Sequence, residues 1–164
     1  MKKKNLISEP NPISYKPLVD GSKITSELIL KKLKTAEPAS QTKNSFPHLN
    51  EDEFRKTLLL DLKNILTNVK KELKKLYNDN LVEVILYGSY ARGDYSENSD
   101  IDLLVVLKHI ESAGKEIDKI VDATYDITLK YSALISVVPI SYNDYKNINS
   151  PLLLNVRKEG VLVD

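Results

Sequence analysis

Apolar residues return every three or four positions through residues 51–77, where Phe54, Leu58, Leu62, Ile65, Leu66, Val69, Leu73 and Leu76 predict one long amphipathic helix. Asn50 followed by Glu53 has the spacing of a capping box. The lysines of "KKELKK" (70–75) suit the C-terminal end of the helix dipole and read as a solvated face. "YNDN" then ends the helix, and the pattern changes. "LVEVILYG" predicts a strand that runs into a Gly-Ser turn. "YARGDYSENS" is too polar for a strand and predicts a short helix and loop, whereas the unbroken run of "DIDLLVVL" predicts a strand buried on both faces.

Residues 111–130 return to helical spacing, with Ile117, Ile120, Val121 and Thr124 expected on one side. "ALISVVPIS" predicts a third strand. Its Pro139 lacks an N–H and places that strand at a sheet edge. Ser150 as cap, Pro151 in the first turn and Gly160 at the end delimit a last helix, after which "VLVD" predicts a short strand. The order α–β–β–α–β–α predicts an α/β (α+β) domain, a small mixed sheet flanked by helices, over residues 51–164.

Residues 1–50 follow a different pattern. They hold five of the seven prolines and the polar stretch "TAEPASQTKNSFPHLN", so they read as an N-terminal arm or linker. One short helix is expected inside it, over residues 22–34, with Ser22 as N-cap and Ile24, Leu28, Leu30 and Leu33 available for burial.

Composition narrows the classes. With 24 basic and 23 acidic residues the net charge is +1, which does not mark a general nucleic-acid or membrane binder. There is no cysteine, so a metal would have to sit on oxygen or histidine. No apolar run is long enough to span a bilayer, and "MKKKNLISEPNP" lacks the apolar core of a secretory signal. A cytoplasmic protein is expected.

The candidate chemistry lies between the first two strands. Side chains two apart on a strand share a face, so Asp100 and Asp102 stand side by side while Ile101 turns into the core. Two adjacent carboxylates repel, and a hard divalent cation such as Mg²⁺ relieves that. Gly88 permits close backbone approach, and the N–H groups and hydroxyl around Ser89 would meet an anion, with Arg92 in reach of a phosphate. Together these point to a metal–nucleoside triphosphate complex. Tyr87, Tyr90 and Tyr95 are expected to flank the pocket, with Tyr90 or Tyr95 available to stack on a base. His48 and His109 show no ligand spacing.

The stretch "GSYARGDYSENSDIDLLV" resembles the signature of the minimal nucleotidyltransferases of the DNA polymerase beta superfamily, and weaker similarity extends over about residues 52–164. The resemblance implies that Gly88 and Ser89 bind the triphosphate of a nucleotide, ATP being the expected one, and that Asp100 and Asp102 are the catalytic carboxylates holding Mg²⁺, two ions in active members. It implies transfer of AMP to a hydroxyl acceptor, as in modules where such an antitoxin modifies a small helical HEPN-type partner. Active members carry a third carboxylate on the next strand. Here that position falls on Ser136; Asp122, Asp126 and Asp144 are acidic neighbours in sequence outside this strand, and Asp94 and Glu97 in the loop are available to contribute. A catalytically weak module that neutralises its partner by contact is therefore the alternative. Transfer to a small molecule is a third reading, disfavoured by the lack of a second domain to build an acceptor pocket.

Overall fold

A computed structural model describes residues 51–96 and 99–163. The arm with its expected helix, the Asn50 cap, His48, Glu97 and the Phe54 side chain lie outside the described residues. Helix α1 (Glu51–Tyr77) leads through a 3-10 turn (Asn78–Asn80) into β1 (Leu81–Tyr87), followed by the one-turn α2 (Gly88–Arg92) and β2 (Ile101–Leu107). Then come α3 (Ala113–Tyr131), β3 (Ile135–Ser141), α4 (Tyr142–Asn147), α5 (Pro151–Glu159) and β4 (Val161–Leu162). The strands form one sheet in the order β3-β2-β1-β4. β1 is antiparallel to β2 and β4, and β2 is parallel to β3. Pro139 does lie on an edge strand.

The apolar run of β2 feeds two cores. Ile101, Leu103, Val105 and Leu107 face α1 and α3, while Leu104 and Val106 face the layer that holds Tyr145 of α4 and Leu153 and Val156 of α5. Burial on both faces is what a central strand between two helical layers requires. On α1 the buried stripe is Leu59, Leu62, Ile65, Leu66, Val69 and Leu73. Leu59 joins the core unforeseen, and Leu76, expected on the buried stripe, is 38% exposed. The lysine run is not uniformly solvated: the half-buried Lys70 donates to the Val163 carbonyl beside β4.

Helix α3 is rotated from the expected orientation. Its buried line is Glu116, Ile120, Thr124 and Ile127, whereas Ile117 and Val121 face outward. Glu116 is tolerated inside because the Tyr77 hydroxyl donates to it at 2.6 Å and Lys119 at 2.9 Å. Helix α4 was not evident from periodicity. Its signal is local: Ser141 Oγ accepts the Asp144 N–H at 3.0 Å, the Ser-x-x-Asp pattern of a helix start. Helix α5 starts as expected, with Ser150 accepting the Leu153 N–H at 3.3 Å and Pro151 in the first turn. Gly160 ends it with an ordinary φ of −64°. A Cβ there would lie 2.4 Å from the Val156 carbonyl oxygen and 2.8 Å from Ile85, so space rather than backbone conformation calls for glycine.

Candidate nucleotide and metal site

Three chain segments converge at one end of the sheet: the β1–α2 junction, the entry to β2 and the entry to β3. Tyr87, the last residue of β1, pairs with Asp102, and Asp102 pairs on its other side with Ser136. In-register neighbours on paired strands share a face, so Asp102 and Ser136 stand side by side. Asp100 immediately precedes β2 and is exposed, while Asp102 is half-buried.

Gly88 has a φ of +73°, in the left-handed region that favours glycine. A Cβ at this position would lie 2.2 Å from Asp102 Oδ2 and 3.1 Å from its Cγ. The glycine therefore makes room for the carboxylate itself. In the sequence that space is expected to admit a phosphate, whereas the contact with Asp102 crosses from one strand to the next and has no local signature. Ser89 follows in the first turn of α2, whose entry has no side-chain cap.

Burial and the neighbouring Asp100 push the Asp102 carboxyl above its usual range, and the Arg92 guanidinium opposes this. Among the described residues, neither aspartate side chain has a hydrogen bond or an ion pair. Arg92 donates from Nε to Asp94 at 3.1 Å, an exposed pair of the kind worth little. The Tyr87 hydroxyl is pushed up by burial and by Asp102. Tyr90 belongs to the core rather than to a base platform. Its ring is 6% exposed and stacks on Tyr95 at 4.8 Å, and its hydroxyl is pushed up to about 12 by burial, Tyr95 and Asp100.

The other acids do not join the two aspartates in the strand pairing. Asp122 and Asp126 are on the outer face of α3, Asp144 opens α4, and Asp94 pairs with Arg92. His109 is exposed, and its backbone is tied to Asn80 at 2.9 and 3.0 Å. A residue the sequence reading did not single out is Asp61. It sits between Leu58 and Leu62 on α1 and lines, with Tyr90, Asp100, Tyr131 and Leu134, a cavity of about 350 Å³. An acid at a buried-stripe position was the available signal.

Among the described residues no three acids, histidines or cysteines converge as a metal cage. Two carboxylates beside a hydroxyl still fit Mg²⁺, which binds through one or two carboxylates, keeps several waters and takes further oxygens from substrate phosphates. The donor set thus suits a cation shared with a triphosphate.

A mixed sheet with a Gly-Ser turn facing an Asp-x-Asp strand defines the nucleotidyltransferase fold, and residues 66–149, just over half of the chain, match the family model for the nucleotidyltransferase domain. The chain belongs to that family. It is 39% identical over 104 residues to "Putative protein adenylyltransferase MJ0141" of Methanocaldococcus jannaschii, covering 63% of this chain and all of the relative. It is 40% identical over 60 residues to "Protein adenylyltransferase MntA" of Thermococcus cleftensis, covering 37% of this chain and 59% of the relative. A crystal structure of a toxin-antitoxin with AMP-PNP aligns with a TM-score of 0.45 and 17% identity, over 62% of this chain and 72% of the other, too distant for any detail to be carried over. Among the described residues no helix is long and apolar enough to cross a membrane.

Proposed function

We propose that this chain is a protein adenylyltransferase that binds ATP with Mg²⁺ and transfers AMP to a hydroxyl of a partner protein. Residues 51–164 form the transferase unit and residues 1–50 an arm. The observation that carries the proposal is the half-buried Asp102, seated against the left-handed Gly88 with Asp100 beside it: a like-charged pair whose side chains have no hydrogen bond or ion pair among the described residues. Membership of the family and the names of the relatives support the same reaction class.

Each residue has a task that follows from its place. Gly88 and Ser89 present backbone N–H groups and a hydroxyl to the phosphates. Arg92 turns from Asp94 to a phosphate oxygen, since the exposed pair it leaves costs about 0.2–1 kcal/mol. Asp100 and Asp102 would hold Mg²⁺, which, when bound, neutralises charge on the triphosphate. The acceptor oxygen attacks the α-phosphorus, the bond to pyrophosphate breaks, and the acceptor proton leaves to solvent or to a carboxylate of the pair. Holding the two reactants in line supplies much of the acceleration in such transfers.

Ser136 favours a second reading. It stands next to Asp102, where active relatives of this type are expected to carry an acid, so the site holds a second Mg²⁺ weakly. On that reading the protein binds ATP, transfers slowly and neutralises a helical HEPN-type toxin mainly by contact. Calorimetry with ATP and Mg²⁺, and a labelled-ATP transfer assay with the partner present, test both. Wild type should bind nucleotide only with the cation, and Asp102→Asn should bind neither. Equal nucleotide binding by the two proteins would overturn the site. Binding without transfer selects the second reading.

A further inference from the structure

Five of the ten exposed large apolar side chains among the described residues fall on α3 or just beyond its end. They are Ile117, Val121, Tyr125 and Leu129 of α3, four apart, and Leu134 just beyond the helix, with exposures from 38% to 62%. Contiguous exposed apolar surface of this kind marks interaction sites, whereas single exposed residues need no explanation. Beside this row runs a second one at the same spacing, Asp118, Asp122 and Asp126, all exposed. Among the described residues none of the three has an ion pair.

We infer that this face of α3 docks a basic amphipathic helix of the partner protein, with aliphatic residues on the apolar row and lysines or arginines on the aspartates. The occupant follows from charge. Antiparallel pairing of two copies would set one acidic row against the other, and like-charge juxtaposition costs several kcal/mol. A helix edged by cations meets the same row with opposite charge. The location ties the surface to the reaction. Leu134 ends the apolar row, its carbonyl accepts the Ile101 N–H at 2.8 Å, and it lines the same cavity as Asp100. A helix lying along α3 therefore ends near Asp100, the exposed member of the carboxylate pair, where a hydroxyl on the partner would be delivered. The inference rests on the adenylyltransferase reading and adds the surface that would hold the protein substrate.

The test uses the full chain and two synthetic helical peptides, each with a leucine ridge, one edged with lysine and one with glutamate. The lysine peptide should bind at least about tenfold more tightly. Val121→Asp and Leu129→Asp should each weaken it by about tenfold or more with unchanged circular dichroism, because both positions are exposed. Equal binding of the two peptides, or variants that bind like wild type, overturns the inference. So does a dimer in sedimentation that Val121→Asp dissolves, since the face would then belong to a second copy. If wild type binds neither peptide but the triple variant Lys31→Glu, Lys32→Glu, Lys34→Glu binds the lysine peptide, the chain's own residues 22–34 are the occupant and the inference is wrong. Calorimetry with ATP and Mg²⁺ on the same samples keeps the two claims apart: absent nucleotide binding overturns the site and leaves the peptide result standing.

Discussion

Gly88 is held by two independent constraints, its φ of +73° and the Asp102 oxygen 2.2 Å from where a Cβ would stand. The first costs a non-glycine residue about 1–3 kcal/mol. The second forces the carboxylate aside. Gly88→Ala should therefore lower stability by about that amount and displace Asp102, so that Mg²⁺–ATP binding falls well beyond what the stability loss explains. Thermal melts and calorimetry on one preparation check this, and an alanine variant with wild-type affinity would refute the coupling. The identity and spacing of Gly88, Ser89, Asp100 and Asp102 were legible in the sequence because a Gly-Ser pair and an Asp-x-Asp pair are local patterns, although Asp100 falls just before β2 rather than within it. That the glycine serves Asp102 was not, because no local pattern encodes a contact between neighbouring strands. Arg92 shows the same limit: its sequence position suggested a phosphate contact, and its place beside Asp94 emerges only from the turn.

Among the elements, α1 and α3 are joined through a buried polar contact. The Tyr77 hydroxyl donates to Glu116 at 2.6 Å, and this bond, with Lys119, holds the Glu116 carboxyl below its ordinary range against the opposing effect of burial. A depressed carboxylate contributes stability above the unfolded pKa, and that contribution is lost as pH falls through the folded value. Hydrogen bonds to charged groups contribute about 1.5–3 kcal/mol. Tyr77→Phe should destabilise the protein by roughly that amount at neutral pH, and the gap to wild type should narrow as the solution is made acid. Urea melts at several pH values read it directly. A gap that stays constant or widens in acid would show that Glu116 is not the partner that matters. This contact also explains why the face of α3 was misjudged. Counting apolar residues favoured Ile117 and Val121, whereas the helix buries Glu116 because Tyr77 and Lys119 satisfy it. Periodicity registers hydrophobic positions and cannot register a partner supplied by another helix.

Across the whole molecule, the site depends on a parallel strand pair separated by a helix. The chain leaves β2, crosses through α3 and returns as β3, and only this crossover brings Ser136 beside Asp102. The strands, their order along the chain and the edge position of β3 were readable from apolar runs and Pro139. The family resemblance pointed to Ser136, and the register of the parallel pair places it beside Asp102; apolar patterning alone does not state that register. With it in hand, Ser136 is the place to restore a third anion. Ser136→Asp adds a carboxylate on the face of Asp102, near a pair that is already like-charged. Without metal the variant should melt below wild type, because like charges side by side repel and Asp102 is half-buried. With Mg²⁺ and ATP present the order should reverse, since the added ligand is neutralised and ligand binding to the native state alone stabilises it by mass action. Transfer of label from ATP to the partner should rise with it. The decisive comparison is therefore of the same two proteins, with and without Mg²⁺–ATP, in melts and in the transfer assay. If wild type transfers robustly and Ser136→Asp is no faster and gains no extra protection from Mg²⁺–ATP, another group completes the site and Ser136 is not its vacant corner.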